Sequence, residues 1–279
     1  MQRLWQRLTP LYQPHEAQAV VRWLLGEVFQ LSLADVLTGA VEALGSADRA
    51  LLEQLMQRLE QGEPVQYVVG HEWFGNRCFK VAPGVLIPRP ETFELCQHVA
   101  RKLQKSQVAG PQILDVGTGS GCIAISLALD VPEAHVMALD ISDAALSIAR
   151  ENALKLGATV NFKKADALRL PTDAEPRWHA IVSNPPYITP VEERNMHINV
   201  KRYEPREALF VPGSDPLLFY RSIAHYALKA LYVGGWLAFE VNSLFADAVA
   251  AMLQQLGFNA VEILTDQFGN HRFVICQNK

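Results

Sequence analysis

The sequence predicts an α/β fold in which a seven-stranded, mostly parallel sheet follows a small helical domain. Two observations support this prediction. From residue 93 onwards short apolar runs alternate with helical segments, a pattern typical of parallel sheets covered by helices on both faces. The first 70 residues instead carry apolar side chains at helical spacing. With 279 residues, 49% of them hydrophobic, the chain is long enough for one large domain or two ordinary ones.

The N-terminal region is predicted to contain three helices. In the first, apolar residues recur at helical spacing, namely Ala17, Val20, Val21, Leu24 and Leu25. A short helix starts within residues 31–37. A third follows Ala47 and Asp48, and Gly62 and Pro64 end it.

A small hairpin and a proline-rich stretch are predicted to connect two domains. Residues 73–74 and 78–81 flank a Gly75-Asn76 turn, and the Ile-Pro-Arg-Pro-Glu-Thr segment 87–92 follows. We therefore divide the chain into a helical domain (1–70), a hairpin and linker (71–92) and an α/β domain (93–279).

Seven strands are predicted in the α/β domain. They are Gln112–Val116, His135–Asp140, Val160–Lys163, His179–Ser183, Gly235–Val241, Val261–Leu264 and Phe273–Cys276. Helices are predicted between most of them, for example over 144–156 and 244–256. The last two strands are separated only by residues 265–272, and a parallel crossover needs about a dozen residues or more. The final strand is therefore expected to be antiparallel.

The composition argues against several classes of protein. A net charge of −4 provides no general basic field, so direct binding of nucleic acid is not expected. The four cysteines lack CxxC spacing and the histidines lack a metal-binding pattern, so no metal site is predicted. Neither a signal peptide nor a membrane span is apparent, which favours a cytoplasmic protein.

A glycine-rich loop follows the first predicted strand. Gly117, Thr118, Gly119, Ser120 and Gly121 form it, and a helix opens directly afterwards. Such glycines let a ligand approach the backbone closely at the carboxyl end of a strand, where open α/β sheets bind ligands. The GxGxG spacing differs from the dinucleotide GxGxxG pattern and favours a cofactor without a pyrophosphate. A plain strand-to-helix turn is the alternative.

Two acidic strand ends are candidates for holding an adenosine group. Asp140 ends the second strand and can accept hydrogen bonds from both ribose hydroxyls. Asp166 and Ala167 follow the third strand, where a contact to the adenine edge is expected. A solvated strand-end acid at Asp140 and a helix N-cap at Asp166 are the alternatives. Together with the glycine loop, these positions predict an adenosine-containing cofactor.

The fourth strand leads into Asn184, Pro185, Pro186 and Tyr187. The prolines restrict the backbone and remove two donors, so the Asn184 side-chain oxygen and the Pro185 carbonyl remain as a pair of acceptors. Such a pair can hold both hydrogens of a planar NH2 group and expose its lone pair to a methyl donor. Tyr187 can cover the face of that group and lie near a sulfonium. A rigid turn is the alternative.

The motifs resemble those of the bacterial release factor glutamine methyltransferases, the PrmC/HemK family. The resemblance covers residues 62–67, Gly70, 87–92, 115–121, 184–187, 203–205 and 208–209, in the family's order. The Asn-Pro-Pro-Tyr segment also occurs in DNA adenine methyltransferases, so 87–92 discriminates better. The resemblance implies a class I (Rossmann-like) methyltransferase fold with S-adenosylmethionine as cofactor. It also implies N5-methylation of the glutamine in the Gly-Gly-Gln motif of peptide chain release factors 1 and 2.

Residue roles implied by the resemblance follow the motifs. Contacts to the cofactor are implied for Gly117 to Gly121, Asp140, Ala167 and Asn184, and contacts to the glutamine for Asn184, Pro185, Pro186 and Tyr187. Arg89 and Glu91 are expected to shape the pocket or to cap a loop. The resemblance also implies that residues 1–70 bind the release factor.

The chain departs from the family pattern at Ala167, where an aromatic residue is frequent, and at Val241 to Leu244, where Gly and Gln are frequent. The difference at Ala167 leaves the adenine packing open. Three other functions remain as alternatives: a DNA adenine-N6 methyltransferase, a non-catalytic interaction protein and a nicotinamide dehydrogenase. A target-recognition domain with a basic cleft would be expected of the first.

Overall fold

The computed structural model describes residues 2–171, 175, 177–189 and 192–279. It divides the chain into two compact units. The first comprises Met1–His71 together with His197–Tyr203, and the second comprises Glu72–Met196 and Glu204–Lys279. The short return segment in the first unit was not indicated by the sequence pattern.

The N-terminal part of the first unit is helical, as predicted. Its helices are α1 (Gln2–Gln6), α2 (Pro14–Phe29), α3 (Leu33–Leu37), α4 (Ser46–Glu60) and α5 (Val65–Val69). The apolar faces of α2 and α4 contribute to one core, which contains Leu24, Leu25, Met56 and Leu59. The positive φ of +85° at Gly62 lets the chain turn after α4. The helix α5 was not predicted, although its Val65 and Val68 complete the same core.

The predicted hairpin consists of β1 (His71–Phe74) and β2 (Arg77–Lys80), which pair in a two-stranded sheet. Gly75 in its turn has a φ of +60°. A Cβ atom at this position would lie 2.5 Å from the Phe93 ring. Glycine suits this turn because of the positive φ, and any other residue here would require the Phe93 ring to move.

The second unit is built around a seven-stranded sheet. The strands are β3 (Gln112–Val116), β4 (His135–Asp140), β5 (Val160–Lys164), β6 (Trp178–Ser183), β7 (Leu231–Glu240), β8 (Asn259–Thr265) and β9 (His271–Gln277). Their order is β5-β4-β3-β6-β7-β9-β8. The pairs from β5 to β7 are parallel, whereas β9 is antiparallel to both β7 and β8. The predicted antiparallel last strand is thus confirmed.

Helices cover both faces of this sheet. They are α6 (Pro90–Ser106), α7 (Cys122–Asp130), α8 (Asp143–Leu156), α11 (Leu218–Ala230) and α12 (Ala246–Leu256). The short helix α10 (Arg206–Leu209) lies in the segment between β6 and α11, and α9 (Ile198–Tyr203) belongs to the first unit. Side chains alternate along β6, so Ile181 packs in one core with α11 and α12, and Ala180 and Val182 pack in the other with α6 and α7. Two further 3₁₀ turns span Glu192–Asn195 and Ser243–Phe245.

Among the helices of the described residues, none combines the length and the apolar character that crossing a membrane requires.

Candidate active site

The candidate site lies where four parallel strands end side by side. Val116 of β3 is paired with Leu139 of β4 and with Ser183 of β6, and Ser183 is paired with Phe239 of β7. The segments that follow these strands therefore meet at one edge of the sheet. This is the edge at which open α/β sheets bind their ligands.

The glycine loop is anchored to the end of the neighbouring strand and leaves open space beside it. The backbone N–H groups of Gly117 and Thr118 both donate to the Leu139 carbonyl at 2.9 Å. Gly117 and Gly119 have φ values of +78° and +54°, and no atom lies within 4 Å of a Cβ built at either. The loop thus has the backbone and the free volume that a closely approaching ligand needs.

A pocket brings the loop together with the Asn-Pro-Pro-Tyr segment. Residues 117–120 and Asn184 line it, as do Leu86, Pro88, Arg89 and Thr92. Six of the residues predicted from the sequence, Arg89 among them, therefore share one pocket. The predicted Gly121, Asp140, Ala167, Pro185, Pro186 and Tyr187 lie outside its lining.

Gly121 is required by packing. A Cβ at this position would lie 2.9 Å from Ile125 Cδ1 and 3.1 Å from Ala149 Cβ, and its φ is +85°. The missing side chain thus lets α7 begin directly against α8. A contact between Gly121 and the cofactor stays a prediction.

Buried polar atoms beneath the loop are available to a polar ligand. Thr118 Oγ1 donates to Asp115 Oδ2 at 2.6 Å, while Asp115 Oδ1 and Ser120 Oγ have no hydrogen-bond partner within the described part of the chain. Burial raises the pKa of Asp115 to about 7. Unpaired polar atoms are costly in an interior, so this arrangement fits a cofactor with polar groups.

Asp140 points towards the glycine loop. Its Oδ2 accepts from the Gly119 N–H at 2.8 Å and its Oδ1 from the Ser142 N–H at 2.9 Å. Each oxygen keeps further acceptor capacity, which is what two ribose hydroxyls would use. Burial raises the pKa of the Asp140 carboxyl, whereas backbone hydrogen bonds from Ser142, Gly119 and Ile141 lower it. The predicted ribose contact is compatible with this geometry.

The segment after β5 forms a turn around Asp166. Asp166 Oδ1 accepts from the Leu168 N–H at 2.8 Å, so this carboxyl caps the turn. The Ala167 carbonyl accepts from Ser222 Oγ at 2.7 Å, and its side chain packs on the apolar core. Contact between Ala167 and an adenine ring remains a prediction.

Asn184 is held in place by its neighbours in the sheet and by α6. The preceding Ser183 donates from Oγ to the Val116 carbonyl at 2.6 Å, and Asn184 Nδ2 donates to Thr92 Oγ1 at 3.3 Å. The side-chain amide group of Asn184 is thereby turned with its NH2 towards α6. Pro185 is buried and Pro186 is half-buried, as is Tyr187. Burial raises the pKa of the Tyr187 phenol.

Three residues at the site were not singled out by the sequence reasoning. Thr92 and Glu240 are buried and joined by a hydrogen bond, and Asp115 lies under the glycine loop. Thr92 belongs to the 87–92 motif and Asp115 begins the 115–121 motif, so both motifs contained a signal. Nothing in the sequence spacing links Glu240 to either motif.

Arg89, which lines the pocket, forms an ion pair with Glu204. Arg89 Nη2 lies 2.5 Å from Glu204 Oε1, and the Ile87 N–H donates to Glu204 Oε2 at 3.1 Å. Glu204 is buried, so this pair fixes the path of the 87–89 segment.

Comparisons with known proteins match both parts of the chain. The family model described as "PrmC N-terminal domain" matches residues 4–70, and that described as "Methyltransferase small domain" matches residues 95–201. Over 269 residues the chain is 39% identical to the "Release factor glutamine methyltransferase" of Bacteroides thetaiotaomicron, covering 96% of this chain and 95% of that protein.

A relative with the same name, from Neisseria gonorrhoeae, is 39% identical over 91% of each chain. Among solved structures, the 16S rRNA N2 G1207 methyltransferase of Thermus thermophilus, in complex with AdoMet and guanosine, superposes with a TM-score of 0.53. It covers 75% of this chain and 50% of the other at 19% identity, so this likeness concerns the fold alone.

Proposed function

Because the chain belongs to the release factor glutamine methyltransferases, we propose that Asn184 and Pro185 hold the substrate amide beside a methyl donor seated on the glycine loop. The protein is an S-adenosylmethionine-dependent enzyme with a class I methyltransferase fold. It methylates the side-chain amide nitrogen, N5, of the glutamine in the Gly-Gly-Gln motif of bacterial peptide chain release factors.

One observation carries the proposal for the site. The glycine loop and Asn184 line the same pocket, although 64 positions (184 − 120) separate Ser120 from Asn184. In the proposed arrangement residues 117–121 and Asp140 hold the cofactor, which supplies a methyl group on a positively charged sulfur. Asn184 also contacts the cofactor, and Ala167 lies against its adenine. The unpaired Asp115 Oδ1 and Ser120 Oγ are suited to its polar groups.

The Asn184 loop overcomes the weak nucleophilicity of an amide nitrogen. The lone pair of that nitrogen is delocalised into the carbonyl group. Acceptors at Asn184 Oδ1 and the Pro185 carbonyl bind the two N–H groups and favour the pyramidal form, in which the lone pair points at the methyl group. Pro186 and Tyr187 frame the planar group and keep water from it.

Removal of the proton from the nitrogen after methyl transfer does not require a strong base. Once the nitrogen carries the methyl group, it holds one proton more than the neutral product. That proton is acidic on a protonated amide and passes to water, so the product is a neutral N5-methylglutamine. The role of the site is therefore positioning and electrostatic stabilisation.

We further propose the partners and the location of the enzyme. Its substrates are release factors 1 and 2, which it meets in the cytoplasm without a membrane partner or direct contact with nucleic acid. Residues 1–70 bind the release factor, residues 71–92 connect, and residues 93–279 perform the transfer. The net charge of −4 supports this choice over a DNA adenine-N6 methyltransferase, for which a basic cleft is expected.

Mass spectrometry tests the function directly. Each release factor is incubated with the enzyme and isotope-labelled S-adenosylmethionine, and peptide fragmentation locates the label. We expect label on the glutamine of Gly-Gly-Gln and none on a factor in which that glutamine is replaced by glutamate. Unmethylated adenine-containing DNA is offered in parallel. Label on DNA and none on the factors would overturn the proposal.

A further inference from the structure

A chain of hydrogen bonds joins the buried end of β7 to Asn184. Asn184 Nδ2 donates to Thr92 Oγ1 at 3.3 Å, and Thr92 Oγ1 donates in turn to Glu240 Oε2 at 2.5 Å. Thr92 and Glu240 are 3% and 2% exposed. Both are polar groups in the interior of the protein. Burying such groups costs free energy, so their presence there indicates a role beyond packing.

The fold brings these three residues together from distant parts of the sequence. In the parallel pair of β6 and β7, Ser183 lies opposite Phe239, so Asn184 and Glu240 leave the sheet side by side. Thr92 is the third residue of α6 and projects its hydroxyl group from the first turn of that helix. Thr92 and Asn184 line the pocket, whereas Glu240 lies behind them.

The number of hydrogens available fixes which group donates at each hydrogen bond between Asn184, Thr92 and Glu240. An ionised Glu240 carboxylate can only accept, so the single hydroxyl hydrogen of Thr92 is committed to it. The Thr92 oxygen can then only accept from its other neighbour. Of the two ends of the Asn184 side-chain amide, only the NH2 can donate. The reversed amide would bring two oxygens together without a hydrogen between them.

We propose that Thr92 and Glu240 are positioning residues that fix the side-chain amide of Asn184 with its oxygen turned to the substrate glutamine. This inference rests on the proposed function, because it assumes that Asn184 Oδ1 accepts from the substrate NH2 group. An asparagine amide has two similar ends, and only one orientation presents an acceptor to the pocket. The buried carboxylate selects that orientation through the threonine hydroxyl.

The protonation of Glu240 decides whether the chain keeps its direction. A protonated Glu240 can donate to Thr92, which frees the Thr92 hydrogen to donate to Asn184 Oδ1, so both orientations of the amide become acceptable. Burial raises the pKa of Glu240 to about 7, while the hydrogen bond from Thr92 and the positive charges of Arg272 and Arg89 lower it. The other titratable groups that interact with it are Glu91, Tyr187, Tyr220, Cys96 and Cys122.

The test compares two substitutions of Thr92. Thr92→Val keeps the shape of the side chain and removes the hydroxyl group, and we expect kcat for the release factor to fall about 10- to 100-fold. Thr92→Ser retains the hydroxyl and should remain within about threefold of the wild type. Ser126→Ala is the matched control, since it removes a buried hydroxyl that has no partner in the described residues and lies on α7. Its kcat should be unchanged.

A second background separates positioning from a general structural effect. In an Asn184→Ala enzyme, measured by single turnover, adding Thr92→Val should lower the rate by less than about twofold, because effects that act through one residue are not additive. A further loss as large as that in the wild type would overturn the proposal. The Kd for S-adenosylmethionine should stay within about threefold in every Thr92 variant.

The pH profile gives an independent readout. The wild-type kcat should fall as the pH is lowered through about 7, whereas Glu240→Gln should be slow and lack this step. A Gln amide can either accept from or donate to Thr92 at any pH, so the direction is no longer fixed at any pH. Spectra of ¹⁵N-labelled protein without cofactor should show the Asn184 side-chain amide signals, assigned through their absence in Asn184→Ala, shifting over the same pH range.

The outcomes for the function and for this inference are distinct. A wild-type enzyme that does not methylate any release factor would overturn the function itself. An active wild type with a Thr92→Val variant of equal kcat, or with Asn184 signals that do not respond to pH between about 6 and 8, would overturn the positioning role alone.

Discussion

The buried Glu240 side chain lowers the stability of the folded protein when its carboxyl group is ionised. Its carboxyl group is buried, which raises its pKa from an ordinary value of 4.5 to about 7. Between these values the folded protein binds a proton that the unfolded chain releases. The stability that Glu240 contributes is therefore full below pH 4.5 and is lost as the pH rises through about 7.

Glu240→Gln should reveal this cost. Glutamine never ionises, so the variant should unfold with a free energy up to about 3 kcal/mol higher than the wild type at pH 8, while the two differ little at pH 4.5. Urea denaturation at both pH values measures the difference. A variant less stable than the wild type at pH 8 would mean that the Glu240 charge is well compensated in the fold.

Asn184→Ala should reduce turnover and leave the cofactor site intact. Loss of the acceptor that holds the substrate NH2 is expected to lower kcat about 10²- to 10³-fold, because this interaction strengthens in the transition state. The Kd for S-adenosylmethionine should change by no more than a few fold. Steady-state kinetics and calorimetry measure the two effects, and a near-normal kcat would refute the role of Asn184.

Asp140→Ala should mainly weaken the binding of the cofactor, whereas Asn184→Ala should mainly lower turnover. Removing a carboxylate expected to accept from two ribose hydroxyls should weaken the binding of S-adenosylmethionine about 10- to 100-fold. Asp143→Ala, in the first turn of α8 and exposed, is the control and should bind normally. Calorimetric titration compares them. Unchanged affinity in Asp140→Ala would remove the ribose assignment.

At the scale of secondary-structure elements, one ion pair fixes the segment that precedes α6. Glu204 is buried and accepts from the Ile87 N–H and from Arg89. Glu204→Ala should therefore lower the free energy of unfolding by about 2–4 kcal/mol, because it leaves a buried N–H and a guanidinium without their acceptor. Glu207→Ala, on an exposed neighbour, should change it by less than about 0.5 kcal/mol. Urea denaturation of both variants checks this.

The secondary-structure elements that could be predicted are those with a local signal in the sequence. β3 and β4 were predicted with their observed bounds, because each is a short apolar run ended by a loop. The antiparallel β9 followed from the shortness of residues 265–272. The helix α5 was missed because its Val-rich sequence favours strands locally, and packing against the helical core overrides that preference.

The candidate site likewise contains residues that a local sequence motif predicts and residues that only the fold brings together. The glycine loop and the Asn184 segment are contiguous motifs, so their chemistry could be read from spacing. The partnership of Thr92 with Glu240 spans 148 positions (240 − 92) and exists only once β7 lies beside β6. The hydrogen-bonding state of Asp115 and the packing role of Gly121 also depend on neighbours that only the folded sheet supplies.

At the scale of the whole molecule, we expect a division of labour between recognition and chemistry. Deleting residues 1–70 should reduce kcat/KM for an intact release factor by at least about tenfold more than for a short Gly-Gly-Gln peptide, because only the intact factor offers a surface to a recognition domain. Binding of S-adenosylmethionine, measured by calorimetry, checks that the truncated protein is folded. Equal losses on both substrates would indicate a structural role for this region.

The first unit includes α9, which is encoded far from the rest of it. Asn199 Nδ2 donates to the Tyr12 hydroxyl at 2.9 Å, and the Tyr203 hydroxyl donates to the Gln61 carbonyl at 2.9 Å. During synthesis on the ribosome, 125 residues (196 − 71) must be added between the two parts of this unit. At about 5–20 residues per second that takes about 6 to 25 s. The nascent chain therefore carries an unfinished N-terminal unit for this interval, in which chaperones and proteases have access to it.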